Sequence, residues 1–116
     1  MLIVKKWSKT DSSWGIWNSE KNDWVRNHVN ERMWSSTRED AERILAVLEK
    51  ARFKPGQKAR YVRYRNHSQI VTIVSWDVWF YEKPYYHVKG NDGVTYFAWE
   101  YDLEEISENV RKKIDR

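Results

Sequence analysis

The sequence predicts an α+β protein in which antiparallel strands predominate and a single helix interrupts them. Three observations predict this class: an aromatic share of 16% with eight Trp and seven Tyr, one capped amphipathic stretch after residue 37, and an Asp-Gly turn at residues 92–93. Aromatic side chains favour strands because flat rings pack well on a pleated surface. A chain of 116 residues is long enough to fold independently as one domain or as two very small units with a shared core.

Composition and charge exclude several classes of protein. With 41% hydrophobic and 33% charged residues, the chain has the composition of a globular protein rather than a disordered one. The lack of cysteine excludes a disulfide framework and a thiolate metal site. Only four apolar residues precede the first charge, Lys5, and no apolar run approaches the ~20 residues of a membrane span, so we expect a cytoplasmic protein without a signal peptide.

The first half of the chain predicts an antiparallel meander. Its three apolar or aromatic stretches are residues 2–7, 14–18 and 24–26. The polar segments between them have the short side chains typical of turns. Trp7 and Trp14 are seven residues apart, as are Trp17 and Trp24, so a turn centred between each pair places Trp opposite Trp. Alternation then puts Trp14 and Trp17 on opposite faces of the second strand, and one helix cannot cover both.

The clearest helix signal follows Ser36 and Thr37. Glu39 and Asp40 come directly after them, a capping-box arrangement that places acids in the first turn. Four apolar residues then recur at helical spacing and form one stripe: Ala41, Ile44, Leu45 and Leu48. The cations Lys50 and Arg52 and then Pro55-Gly56 predict the end of the helix.

The second half predicts four strands and a charged tail. The predicted strands are residues 58–65, 69–75, 85–89 and 94–99. Residues 69–75 are apolar on both faces, which predicts a central strand. Residues 90–93, with their Asp-Gly step, predict a hairpin between the last two strands. We expect residues 103–116 to form one 3₁₀ turn followed by a polar helix.

Three segments of the second half carry a resemblance to a known architecture. Residues 53–61 read FKPGQKARY, residues 70–75 IVTIVS, and residues 84–106 PYYHVKGNDGVTYFAWEYDLEEI. This order resembles the Src-homology-3-like small β-barrel of short bacterial and bacteriophage proteins. The resemblance covers residues 53–106 and implies that Leu103 and Ile106 plug the open end of the barrel. The first half resembles, less specifically, the Trp-containing meander and helix of small phage proteins.

The sequence therefore predicts three parts. Residues 1–52 form the meander with its helix, residues 53–108 form the barrel, and residues 109–116 form a polar C-terminal tail. Since this architecture hosts many unrelated roles, the resemblance implies a fold rather than an activity.

No pattern in the sequence indicates a catalytic centre, a metal site or a cofactor. His28, His67 and His87 fall in different predicted elements, and none is four residues from another, so no helical metal pair exists. Neither a Gly-x-Ser-x-Gly turn nor a glycine-rich phosphate loop is present. Acidic residues cluster at residues 100–108 in an alternation typical of a solvated rim. We therefore predict a protein that is not an enzyme.

An aromatic loop at residues 76–86, together with the edge of the barrel, is the first candidate binding surface, and we predict that it binds another protein. Its predicted partner-binding residues are Trp76, Trp79, Tyr81, Tyr85 and Tyr86. Trp and Tyr rings are rigid anchors for a protein surface. Alternation places Trp79 and Tyr81 with the acid Asp77, so we expect this set to be exposed and the set with Trp76 and Phe80 to be buried. The phage-like resemblance implies an inhibitor or modulator of a host or defence protein.

A basic strand predicts the alternative, a nucleic-acid-binding accessory protein. Its residues are Lys58, Arg60, Tyr61, Arg63 and Arg65, in a stretch without acids. Such a strand can follow phosphates while a ring stacks on a base, although charges on an edge strand also serve to prevent aggregation. The formal net charge of +4 permits nucleic-acid binding without requiring it. A third interpretation, a wall-carbohydrate binder, conflicts with the expected absence of a secretion signal.

Overall fold

The computed structural model describes residues 1–62 and 69–106. The elements follow in the order β1 (Leu2–Lys6), β2 (Trp14–Asn18), β3 (Asp23–Trp24), β4 (Trp34–Ser35), α1 (Arg38–Lys50), β5 (Lys58–Tyr61), β6 (Gln69–Trp79), β7 (Lys83–Gly90), β8 (Thr95–Trp99), a 3₁₀ turn (Glu100–Asp102) and β9 (Leu103–Glu104). The protein is therefore a mixture of antiparallel strands and one helix, as predicted.

The chain forms two compact units. The first unit contains Met1–Ala51 and Trp76–Pro84, and the second contains Arg52–Ser75 and Tyr85–Arg116. The segment that joins β6 to β7 thus belongs to the first unit, although the sequence places it in the middle of the second half. Among the described residues, no helix has both the length and the apolar character needed to cross a membrane.

The sheet of the first unit is an antiparallel meander in which β2 pairs with β1 on one side and with β3 and β4 on the other. Trp17 lies opposite Trp24, as predicted, and their rings meet edge to face with centroids 5.2 Å apart. The predicted Trp7–Trp14 pair is wrong, because Lys6 lies opposite Trp14. The Trp7 amide instead donates to the Ser13 carbonyl at 3.0 Å, and the carboxylate of Asp11 accepts the Ser13 amide at 2.7 Å within the turn.

Helix α1 covers one face of this sheet. Thr37 caps it as predicted, because its side-chain oxygen accepts the Asp40 amide at 3.2 Å. The buried residues of the helix are Ala41, Ile44, Val47 and Leu48. Leu45, predicted in this stripe, lies at its edge and is half-buried. Arg52 lies beyond the end of the helix at Lys50.

The second sheet has the strand order β8-β7-β6-β5-β9, and β6 is central as predicted. The order of the last elements differs from the prediction, because the 3₁₀ turn precedes Leu103 and Leu103 itself lies in β9. The predicted ends of the first strand at residues 63–65 and of the tail at residues 107–116 lie outside the described residues.

This second sheet is curled into a half-barrel. Two strands, β7 and β6, lie between β8 and β5 in the sheet, yet the ring centroids of Tyr61 in β5 and Tyr96 in β8 are only 5.6 Å apart. A flat sheet would separate these strands by about 14 Å, since neighbouring strands lie about 4.8 Å apart. The concave face is apolar, and its buried residues include Ala59, Val71, Ile73, Tyr86, Val88 and Leu103.

Candidate functional site

The candidate site begins at the tip of the hairpin that joins β6 to β7. The sequence predicts a loop here, but β6 continues as a strand to Trp79 and β7 begins at Lys83. The Glu82 amide donates to the Trp79 carbonyl at 3.0 Å and closes the turn. The aromatic segment is therefore a regular hairpin rather than an irregular loop.

Two aromatic residues occupy the centre of this turn in a left-handed backbone conformation. The φ angle is 48° at Phe80 and 59° at Tyr81, and positive φ at both central residues is the signature of a type I′ hairpin turn. Asn and Gly normally occupy these positions, because a bulky side chain is strained there. Each strained residue costs of order 1–3 kcal/mol, and such strain concentrates at binding and catalytic sites.

The turn presents two rings to solvent. Phe80 is 70% exposed and Trp79 is 46% exposed, and their rings meet edge to face with centroids 4.8 Å apart. Tyr81 is half-buried, and the Arg43 guanidinium covers its ring at 5.1 Å. The exposure of Trp79 agrees with the prediction from alternation. The expectation that Phe80 is buried is wrong, because alternation ends where the turn begins.

Asp77, which alternation places on the exposed face, is buried in the first unit. Its Oδ2 atom lies 2.9 Å from Nδ1 of His28, and only 12% of its side chain is exposed. A carboxylate can be buried when a hydrogen-bond partner replaces the water that it loses. The prediction that Asp77 is exposed to solvent is therefore wrong.

Three other residues predicted for the partner site contribute little exposed ring surface there. Trp76 is 6% exposed and Tyr86 is fully buried, so neither offers a ring to a partner. Tyr85 is half-buried in the second unit, where its ring centroid lies 5.6 Å from that of Trp99. Of the predicted set, the turn brings together Trp79 and Tyr81, and it adds Phe80.

An open groove of about 360 Å³ lies beside the turn, within the first unit. Its apolar lining includes Met33, Trp34, Ile44 and Phe80, and its polar lining includes Glu31 and Arg32. This volume lies near the lower end of the range for ligand pockets. The groove is large enough for one or two side chains of a partner.

A tightly hydrogen-bonded turn at residues 26–32 holds the polar wall of the groove. The Asn27 side chain accepts the amides of Val29 and Glu31, each at 3.0 Å. The Asn27 amide donates to the Glu31 carbonyl at 2.8 Å, and Arg26 lies opposite Arg32 as an antiparallel bridge. Asn favours this kind of turn because its side chain bonds nearby backbone amides, and the turn fixes Glu31 and Arg32 at the groove.

A second aromatic surface, missed by the sequence analysis, lies on the sheet face that contains Gly15. We call it the tryptophan face, and its side chains are Lys5, Trp7, Trp17, Trp24, Arg32 and Trp34. The Lys5 ammonium lies 4.3 Å from the Trp17 ring, and Trp7 and Trp34 have ring centroids 6.4 Å apart. A Cβ atom on Gly15 would lie 2.7 Å from Trp7 Nε1, so glycine is needed for this ring to lie across β2. Trp34 is 57% exposed.

The charge of Arg32 also reaches two exposed acids near the tryptophan face. Hydrogen bonds from Ser13 lower the pKa of Asp11, and the charge of Arg32 lowers it further. Hydrogen bonds from the Trp24 amide and from Arg26 lower the pKa of Asp23, with a smaller contribution from Arg32. Both carboxylates lie beyond hydrogen-bonding distance of Arg32, so neither neutralises it by direct contact.

The basic strand of the alternative prediction lies in the second unit. Lys58 and Arg60 are exposed, but Tyr61 is 3% exposed and packs on the concave face, so it offers no ring to a base. Arg60 lies opposite Glu104 of β9. Arg63 and Arg65 lie outside the described residues.

The two units differ in formal charge. The first unit has ten basic and ten acidic side chains and is formally neutral, whereas the second has eleven basic and seven acidic side chains, so the whole net charge of +4 belongs to it. The turn, the groove and the tryptophan face thus belong to a neutral unit. Phosphate binding depends on excess positive charge, which the side chains of the first unit do not provide.

Comparison with known proteins gave no matching family model, no similar curated protein and no similar solved structure. Within residues 1–62 and 69–106, no three His, Asp or Glu side chains cluster in a way that could hold a metal ion. The candidate site therefore rests on its own geometry: a strained aromatic turn, a groove beside it, and a tryptophan face continuous with that groove through Arg32 and Trp34.

Proposed function

We propose that this chain is a non-enzymatic binding module that recognises another protein through the turn at Trp79, Phe80 and Tyr81 and the groove beside it. The strained turn is the observation that carries the proposal. Two aromatic residues adopt a backbone conformation that suits Asn and Gly, and the more exposed of them, Phe80, has most of its ring in water. A role in folding explains neither the strained backbone nor the exposure of the Phe80 ring. A central aromatic anchor at an interface explains both.

We infer further that the second unit is a Src-homology-3-like barrel. The order of its five strands, with the last strand beside the first and a 3₁₀ turn directly before it, supports this assignment. Together with the sequence resemblance, it supports a phage-encoded inhibitor or modulator of a host or defence protein, acting in the cytoplasm of the host. This origin rests on resemblance, while the binding role rests on the turn.

The test is a capture experiment on a bacterial lysate followed by measurement with the purified partner. Phe80→Ala should leave the fold intact, because little buried area is lost, and should weaken partner binding about 30-fold or more, the usual effect of a central aromatic anchor. Phe97→Ala is the matched control, since Phe97 is also an exposed ring but belongs to the second unit. If Phe80→Ala and Phe97→Ala bind the partner with equal affinity, the turn does not belong to the interface.

The second candidate function is nucleic-acid binding by the basic strand. The observation in its favour is that the net positive charge belongs to the second unit, where Lys58 and Arg60 are exposed. Such binding should be non-specific and salt-dependent, with a log–log slope of roughly −3 to −4 for three to five phosphates. Nuclease treatment of the captured material separates the two functions, because it releases only partners held through nucleic acid.

A further inference from the structure

Arg32 differs from the other arginines of the first unit because it forms no ion pair with the acidic side chains of residues 1–62 and 69–106. Each of the others forms an ion pair, Arg26 with Asp23, Arg38 with Glu42 and Arg43 with Asp40. In the part of the chain that the structure describes, the Arg32 guanidinium has no hydrogen-bond acceptor. Its donors, five in an arginine side chain, are therefore available to a ligand.

Two indole rings hold this guanidinium in place. Its Cζ atom lies 5.0 Å from the centre of the Trp7 ring and 5.4 Å from that of Trp24. A cation–π contact uses the charge of the guanidinium and provides no hydrogen-bond acceptor in the ring plane, so the N–H groups can still bond a carboxylate. A fork positioned in this way is ready to bind a carboxylate through two parallel hydrogen bonds.

The same residue lines the groove beside the aromatic turn, and most of its neighbours there are apolar. Met33, Trp34, Ile44 and Phe80 line the groove together with Arg32. A ligand that satisfies both features has an apolar side chain next to a carboxylate. Peptides offer this combination wherever a large apolar residue adjoins Glu or Asp.

We propose that Arg32 is the specificity residue of the groove and that it binds a Glu or Asp side chain of the partner protein. The neighbouring apolar side chain of the partner then enters the groove beside Phe80. This inference rests on the proposed function and names the chemistry of its partner. It also predicts that the partner segment is acidic, although the first unit, which contains Arg32, is formally neutral.

Two acids of the groove bear on this proposal. Asp77 is bonded to His28, so its charge is already engaged. Glu31 is exposed at the groove and repels an incoming carboxylate. Glu31→Gln should therefore tighten binding of an acidic peptide, whereas it would weaken binding of a basic one. An increase in affinity on Glu31→Gln therefore shows that the ligand is acidic, and a decrease shows that it is basic.

The experiment titrates defined probes into the isotope-labelled full chain and follows the indole and guanidinium N–H signals by NMR. Two heptapeptides with blocked ends carry Phe-Glu or Phe-Gln at their centre within Gly and Ser flanks. A third peptide has Phe-Gln and a free C-terminal carboxylate, and a short oligothymidylate serves as the phosphate probe. We expect the Phe-Glu peptide to bind about tenfold more tightly than the Phe-Gln peptide, the usual contribution of a charge-assisted hydrogen bond.

Two arginine variants test the residue itself. Arg32→Lys keeps the charge and removes the planar fork, so it should reduce the preference for Phe-Glu, whereas Arg32→Gln removes the charge as well and should abolish the preference. Arg38→Gln is the matched control, because Arg38 also lies over an indole, that of Trp14 at 5.7 Å, but is bonded to Glu42. The spectrum of each variant shows whether it is folded, and Arg32→Lys still tests the planar fork if Arg32→Gln does not fold.

Each remaining outcome decides the question. Equal affinity for Phe-Glu and Phe-Gln, with both lost in Phe80→Ala, overturns the role of Arg32 and leaves the aromatic turn as the binding surface. Preference for the free C-terminus or for oligothymidylate at Arg32 overturns the choice of an acidic side chain. Failure of every peptide to bind at millimolar concentration also overturns it. The proposed function fails separately, if Phe80→Ala leaves capture of the natural partner unchanged.

Discussion

The hydroxyl of Tyr86 donates a hydrogen bond of 2.7 Å to Oε1 of Glu100. The same oxygen accepts the Arg52 amide at 2.8 Å, so one carboxylate connects β7, the 3₁₀ turn and the segment that precedes β5. Tyr86 is fully buried, and its ring packs edge to face on Phe53 with centroids 5.7 Å apart. The sequence predicts Tyr86 on the binding surface, but in the structure Tyr86 lies in the core of the second unit.

Tyr86→Phe should therefore lower the free energy of unfolding without affecting any partner. The ring remains packed, but Glu100 loses its hydroxyl donor, which costs about 1–3 kcal/mol for a hydrogen bond to a charged group. Urea denaturation followed by Trp fluorescence measures the change. Tyr101→Phe is the control, since Tyr101 is 75% exposed and should stay within about 0.5 kcal/mol of the wild type. Equal effects at the two positions would contradict this account.

The same contact predicts how stability depends on alkaline pH. Burial raises the pKa of Tyr86 above its ordinary value of 10.0, and the hydrogen bond and charge of Glu100 raise it further. The folded state thus favours the neutral phenol, and this stabilisation is complete below the unfolded pKa of about 10 and lost as pH rises toward the folded pKa. The difference in the free energy of unfolding between the wild type and Tyr86→Phe should therefore decrease above pH ~10. A constant difference across that range would argue against a raised pKa.

Local signals were sufficient to predict several parts of the fold. Thr37 begins the helix because its side chain can bond the backbone three residues later, a contact determined by adjacent sequence. The Trp17–Trp24 pair follows from a short turn between strands. The central position of β6 follows from its apolar residues on both faces. In each case, the deciding interactions lie within a few residues of one another or within one strand.

Non-local contacts account for the predictions that were wrong. Asp77 is buried because His28, distant in sequence, provides its hydrogen bond, and alternation within one strand contains no information about that partner. Phe80 and Tyr81 carry no turn signal, because positive φ is expected of Asn and Gly rather than of aromatic residues. Arg32 reaches Trp7 and Trp24 only after the turn at residues 26–32 has formed.

The division of the chain into units predicts the behaviour of a fragment. Residues 53–116 contain Trp76–Pro84, which belong to the first unit, but lack the rest of that unit. Trp76 and Asp77, both buried in the whole chain, would be exposed, so the fragment should be poorly folded or prone to aggregation. A fragment in which a short turn containing Asn and Gly replaces Trp76–Pro84 should behave better. Size-exclusion chromatography and thermal melting compare the two, and a sharp melting transition for the unmodified fragment would disprove the prediction.

The final prediction separates folding from binding at the aromatic turn. Replacing Phe80-Tyr81 by Asn-Gly puts the residues preferred for positive φ at both positions. The replacement relieves backbone strain at two residues, of order 1–3 kcal/mol each. It also removes the contact of Phe80 with Trp79 and that of Tyr81 with Arg43. These contacts contribute about 0.5–1.5 kcal/mol each, so the relief of strain should be the larger effect. The variant should therefore be more stable than the wild type by about 1 kcal/mol. Partner binding should be strongly weakened, because the rings of Phe80 and Tyr81 are gone and only that of Trp79 remains. Urea denaturation measures the change in stability, and a binding assay on the same preparation measures the change in affinity for the partner. A variant that loses stability would show that the turn is ordinary structure, and the main argument for a recognition surface would then fail.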